Sequence, residues 1–166
     1  MSLRENFADK EFVMKRYLFL FTVFVFPLFS AFSQTADRLE TLFNTEELSY
    51  EQAATFVLEA SQPVGAADIY TSLGEAFRYA TERNWLPKNA EARDTARLDG
   101  ISLLIMKAFE IKSGAFYSIF QNPHYAYREL EYRKIIEGKT VPSNDVSGEL
   151  LLFIIGRTLS YTESAQ

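Results

Sequence analysis

One histidine, no cysteine and an abundance of tyrosine limit the chemistry open to this chain of 166 residues. His124 is the only histidine and cysteine is absent. A two-histidine metal site, a thiolate zinc site, a cysteine nucleophile and a disulfide framework are therefore excluded. The residue types of a Ser-His-Asp arrangement are present, but no Gly-x-Ser-x-Gly elbow marks a nucleophile. Glu46 and Glu47, and likewise Glu129 and Glu131, read as solvated charges, because acid–base work needs burial or crowding to separate the pKa values of paired carboxyls. His124 falls at the expected exposed start of a helix. The residues call for no cofactor and no metal, and the expectation is a protein without catalytic function.

Recognition is left, and the aromatic residues carry it. Phe116, Tyr117, Phe120, Tyr125, Tyr127 and Tyr132 follow Gly114 at the junction of two helical segments. Tyrosine joins an apolar ring to a polar tip, which suits it to sugar or protein contacts and equally to a core. Arg128, Arg133 and Lys134 lie among them and could meet an anionic group, with Glu129, Glu131 and Glu137 at hand to neutralise them. Trp85, the only tryptophan, reads either as a platform for a sugar face or as a core anchor equivalent to Ile135. The candidate contact residues are thus Trp85, Phe116, Tyr117, Tyr125, Tyr127 and Arg128.

Helices must position these side chains. Three times an apolar residue precedes a capping residue and an apolar run, at Leu48-Ser49, Leu98-Asp99 and Val146-Ser147. Ser49 and Gln52 have the spacing of a capping box, and Leu48 with Ala53 that of a hydrophobic staple. The caps Ser49, Asp99 and Ser147 lie 50 and then 48 residues apart, a period expected of a repeat architecture. They predict helices over 49–61, 99–112 and 147–160, with Pro63 and Gly114 as punctuation. These helices are apolar around most of their circumference, so they belong at the centre. Amphipathic partners lie outside, one with Ile69, Leu73, Phe77 and Ala80 on its apolar stripe, another starting at Pro123. The expected fold class is all-α: three helix-loop-helix repeats (36–61, 68–112 and 123–160) in a pseudo-threefold bundle, one domain over 34–166.

Residues 1–33 read as a signal peptide. Lys15-Arg16 precedes an apolar stretch of 13 residues, Tyr17 to Phe29, and Ala31-Phe32-Ser33 offers a cleavage site. That core is shorter than the ~20 residues of a membrane-spanning helix, so no stable transmembrane span is expected after cleavage. Met14 is a natural start for such a signal, which makes residues 1–13 an over-called start or a long leader. Four of the 17 basic and three of the 22 acidic residues lie in 1–33, leaving 13 and 19 and a net charge of −6. An acidic chain of this kind does not suit a nucleic-acid partner. The expected location is exported, in the periplasm or associated with the cell envelope.

One stretch carries a family likeness. His124-Tyr125-Ala126-Tyr127, Leu130, Ile135-Ile136-Glu137-Gly138, Pro142, Val146-Ser147-Gly148-Glu149 and Gly156-Arg157-Thr158-Leu159 resemble an S-layer homology repeat. That family's pattern has an aromatic-rich first helix, an Ile-Ile/Val-x-Gly turn, a proline-containing loop and a Thr-Arg-Ala-Glu start to its second helix. Residues 73–109 resemble the unit more loosely and residues 36–61 least. The resemblance implies a pseudo-threefold helical domain that anchors an exported protein to cell-wall polysaccharide. The family's motif Arg, which contacts anionic sugar substituents, would fall on Tyr50, Gly100 and Gly148, and its Glu on Gln52, Ser102 and Leu150. The ligand motif is thus missing where the cap is kept. The function expected is an exported, non-catalytic envelope protein whose repeats bind a cell-wall glycan or another envelope protein. The alternatives are a structural or oligomerisation module and a small periplasmic enzyme of unknown reaction.

Overall fold

The computed structural model describes residues 36–62, 73–112 and 114–164, with the backbone alone at Ala115 and Phe116. The expected signal peptide, Pro63 and Ile69 lie outside the described residues. Most of the described residues are helical, with no strand among them. In order they form α1 (36–43), α2 (Tyr50–Ser61), α3 (Leu73–Glu82), α4 (Leu98–Ala108), α5 (Ala115–Phe120), α6 (Pro123–Tyr132) and α7 (Gly148–Ser164). The fold class is all-α. The chain divides into two compact units, Met1–Leu42 and Phe43–Gln166. In the first, Thr41 Oγ1 donates back to Asp37 O at 2.8 Å within α1. Everything below concerns the second.

The helix starts follow from their amides. The first backbone N–H groups of a helix have no partner inside it, and burying them unsatisfied costs about 1–3 kcal/mol each. At α2, Ser49 closes a capping box: its Oγ accepts from Gln52 N at 3.3 Å, and its own N–H donates to Gln52 Oε1 at 2.9 Å. Leu48 and Ala53 beside it are both buried. At α7, Ser147 Oγ accepts from Leu150 N at 3.2 Å, between the buried Val146 and Leu151.

The middle start differs from the sequence expectation. Asp99 is not the cap of α4. The helix begins at Leu98, its N-cap residue is Arg97, and the Arg97 side chain makes no capping bond. Asp99 sits one residue inside, where its Oδ1 accepts from Gly100 N at 2.8 Å. The start lies earlier because distant carbonyls take the first two amides: Leu98 N donates to Asn144 O at 2.8 Å and Asp99 N to Pro142 O at 2.9 Å. The other starts use the same device. Tyr50 N donates to Asp94 O at 3.0 Å, Glu51 N to Ala92 O at 3.0 Å, and Gly148 N to Thr45 O at 2.9 Å.

A closed ring of hydrogen bonds joins the three segments that enter these helices. Leu48 N donates to Val146 O at 2.9 Å, Val146 N to Ala96 O at 2.9 Å, and Ala96 N to Leu48 O at 2.7 Å. All three side chains are buried. Matching residues 48, 96 and 146 sets spacings of 48 and then 50 residues. The sequence expectation had these two spacings in the opposite order. Around the ring, α2, α4 and α7 contribute half of the described buried apolar residues, including Val57, Leu58, Ile101, Leu104, Ile105, Leu151 and Ile154.

The remaining helices pack outward from these. α3 lies on α2, α6 on α4, and α2 also touches α4 and α7. α3 buries Ala76 and Ala80, whereas Leu73 is exposed, so its buried stripe is rotated from the one expected. α6 buries Ala126, Tyr127 and Leu130. Both helices stop alike, on a residue of left-handed backbone, Asn84 (φ 56°) or Lys134 (φ 59°). The following amides reach back over the last turn, Trp85 N to Ala80 O and Ile135 N to Leu130 O, each at 2.9 Å. Trp85 and Ile135 thus hold matching positions. α4 ends in this way too, at Glu110 (φ 49°), rather than continuing to Lys112.

Candidate functional site

The loop that supplies carbonyls to α2 also forms one wall of a groove. Its volume is about 310 Å3, and Tyr50, Pro87, Asn89, Asp94, Arg97 and Asp99 line it, with Pro123 at the first turn of α6 closing one side. The capping box of α2 fixes Tyr50 as the first residue of that helix. Its hydroxyl accepts from Arg97 N at 3.4 Å. Gly100 makes room for the ring: a Cβ there would come within 2.5 Å of Tyr50 Oη and 3.0 Å of Pro87 Cγ. Burial raises the Tyr50 phenol above its ordinary range.

The groove holds charges of both signs. Arg97 Nε stands 3.9 Å from Asp99 Oδ1, and Asp94 Oδ2 accepts from Glu91 N at 3.0 Å. Thr95 Oγ1 donates to Glu47 Oε2 at 3.5 Å on the same loop. Proline and tyrosine faces stand beside these polar groups. Such walls can take the face of a ring while fixed donors and acceptors meet its substituents. Among the described residues no group of three His, Asp or Glu could hold a metal ion. No helix among them is long and apolar enough to cross a membrane.

The structure separates the candidate contact residues. Tyr127 is a core residue, 2 % exposed, and its hydroxyl donates to Thr140 O at 2.9 Å. Tyr117 is 4 % exposed, its hydroxyl has no partner among the described residues, and burial pushes its phenol up to about 12. Burial corrects the assignment of these two to a contact surface: an amphipathic side chain followed its ring into the core. The Phe116 side chain lies outside the described residues. Tyr125 is half-buried and stacks on the exposed Phe120 at 5.1 Å and 20°, with His124 edge-on to it at 5.4 Å. Arg128 is exposed and pairs with Glu131 at 3.0 Å. Trp85, half-buried, meets Tyr79 edge-on at 5.6 Å, with the Arg83 guanidinium 3.5 Å over the Tyr79 ring. Of the expected neutralising pairs, Arg128 with Glu131 and Arg133 with Glu129 form, the latter at 2.7 Å between Nη2 and Oε1, whereas Glu137 pairs with Arg157 at 2.9 Å.

None of the described candidates lines the groove. Its residues come from the first turns of α2, α4 and α6 and from the loop between α3 and α4. Gly100, two residues inside a helix, is the local signal that something large must cross there. Neither a protein-family model, a curated protein nor a solved structure matches the chain.

Proposed function

We propose that this chain is an exported, non-catalytic protein of the cell envelope, built from three divergent helix-loop-helix repeats of the S-layer homology kind. In this reading it binds a cell-wall glycan in the groove between the start of α2 and the loop 87–97. The groove carries the proposal, because it lies where one repeat's helix start meets the next repeat's loop. The hydrogen-bond ring through Leu48, Ala96 and Val146 supports a pseudo-threefold arrangement. With that register, the family's motif Arg falls on Tyr50, Leu98 and Gly148 and its Glu on Gln52, Gly100 and Leu150. That moves the middle pair two residues from the position read in the sequence, and the ligand motif is still missing.

Binding of the full chain to purified wall polysaccharide and to peptidoglycan tests the reading. Saturable binding is expected, weakened at least about tenfold by Asn89→Ala with Arg97→Ala, a loss of about 1.4 kcal/mol. Absence of saturable binding to either material rejects it. A second reading, self-association, has its own observation: Ile119, Phe120 and Phe153 are large, apolar and more than half exposed. A concentration-dependent mass on size exclusion, without glycan binding, would favour it. Export is tested by sequencing the N-terminus of the protein recovered from cells, which is expected to begin at Gln34.

A further inference from the structure

We infer that the groove selects a sugar bearing a free, protonated amine over the same sugar in acetylated form. This rests on the glycan-binding reading above and assigns the charge of its ligand. Among the described residues the acidic and basic side chains that line the groove are Asp94, Asp99 and Arg97, and Arg97 faces only Asp99 of the two carboxylates, at 3.9 Å. The carboxylates are half used. Asp94 commits Oδ2 to Glu91 N and Asp99 commits Oδ1 to Gly100 N, while Asp94 Oδ1 and Asp99 Oδ2 have no hydrogen-bond partner among the described residues. Glu47, held against Thr95 Oγ1 at 3.5 Å, adds a third carboxylate beside the loop.

An ammonium group has three donors and no acceptor, so it requires what these free oxygens offer. An acetylated amine is neutral, with a single N–H. It would enter without compensating the carboxylates and would strip water from them, which is costly for a charge left unpaired. The other walls suit the rest of a sugar. Tyr50, Pro87 and Pro123 offer apolar faces for the C–H side of a pyranose, and the Arg97 guanidinium offers donors for its hydroxyls.

The test is titration of the full chain, by calorimetry at about pH 6 where an amine of this kind is protonated. The probes are the β-1,4-linked glucosamine trimer and the N-acetylglucosamine trimer, which differ only at the amine. The amine form is expected to bind at least about tenfold more tightly, equivalent to about 1.4 kcal/mol. Asp99→Asn keeps an acceptor for Gly100 N and is expected to bring the two trimers to similar affinity. Equal binding of both trimers by the unsubstituted chain, or preference for the acetylated one, overturns the inference and leaves the glycan reading standing. An amine preference that survives both Asp94→Asn and Asp99→Asn places the selectivity elsewhere and also overturns it. Binding of neither trimer, with wall polysaccharide still bound, overturns the inference alone; loss of the polysaccharide as well removes the glycan reading with it.

Discussion

Tyr117 and Tyr127 lie on adjacent helices and are equally buried, yet their hydroxyls stand in opposite situations. Tyr127 donates to Thr140 O at 2.9 Å, whereas the Tyr117 hydroxyl has no partner among the described residues. A buried hydrogen bond contributes about 1 kcal/mol, and a buried hydroxyl without one costs a similar amount. Tyr127→Phe is therefore expected to destabilise by about 1 kcal/mol and to leave Thr140 O short of a donor. Tyr117→Phe is expected to be neutral or to stabilise by up to about 1 kcal/mol; both are read by urea denaturation. The same burial carries a pH dependence. The Tyr117 phenol, pushed up to about 12, keeps its proton in the folded chain where the unfolded chain loses it at about 10. The folded state then binds more protons, so stability is intact below about pH 10 and falls as the pH rises toward 12. The full difference corresponds to something on the order of 2–3 kcal/mol. Tyr117→Phe is expected to flatten this alkaline limb, and an unchanged limb would contradict the assignment.

At the scale of the element, the helix starts show which amides depend on local side chains and which on distant backbone. Gln52 N at the start of α2 relies on Ser49 Oγ, so Ser49→Ala is expected to cost about 1 kcal/mol. Arg97→Ser at the start of α4 installs an ideal cap and is nevertheless expected to gain less than about 0.5 kcal/mol, since the amides a cap would serve are already taken. Leu98, Asp99 and Gly100 donate to Asn144 O, Pro142 O and Asp99 Oδ1. Thermal melts of the two variants check both. The contrast also explains what was legible in the sequence. Ser49 and Ser147 were readable because a cap and its target lie three residues apart. The start of α4 was not, because two of its acceptors lie more than forty residues downstream and no local pattern reveals them. The groove was hidden for the same reason: it exists only where the loop 87–97 meets α2. Residue type alone singles out Asp99, and it does serve an N-terminal amide, from one residue inside the helix rather than from the cap.

The Phe43–Gln166 unit is tied together by contacts that are long in sequence and short in space. Leu48, Ala96 and Val146 each give one hydrogen bond and receive one, so no member can leave without breaking two. Each also leads into a helix whose first amide is held by another part of the chain. A stack of repeats with contacts only between neighbours can unfold from one end, as a nearly one-dimensional array. A closed ring has no end, and its segments are expected to unfold together. Val146→Ala tests this at a position distant in the chain from the only tryptophan. Val146 is fully buried, so the substitution is expected to cost about 1–3 kcal/mol in lost apolar burial and cavity formation. Trp85, packed against Tyr79 beside α3, reports locally through fluorescence, while far-ultraviolet circular dichroism reports all the helices. If the ring couples the segments, both signals move to the same lower midpoint and remain coincident. If the three segments are independent, the Trp85 transition stays in place while the dichroism splits into two steps, and the shared centre is then not what holds this unit together.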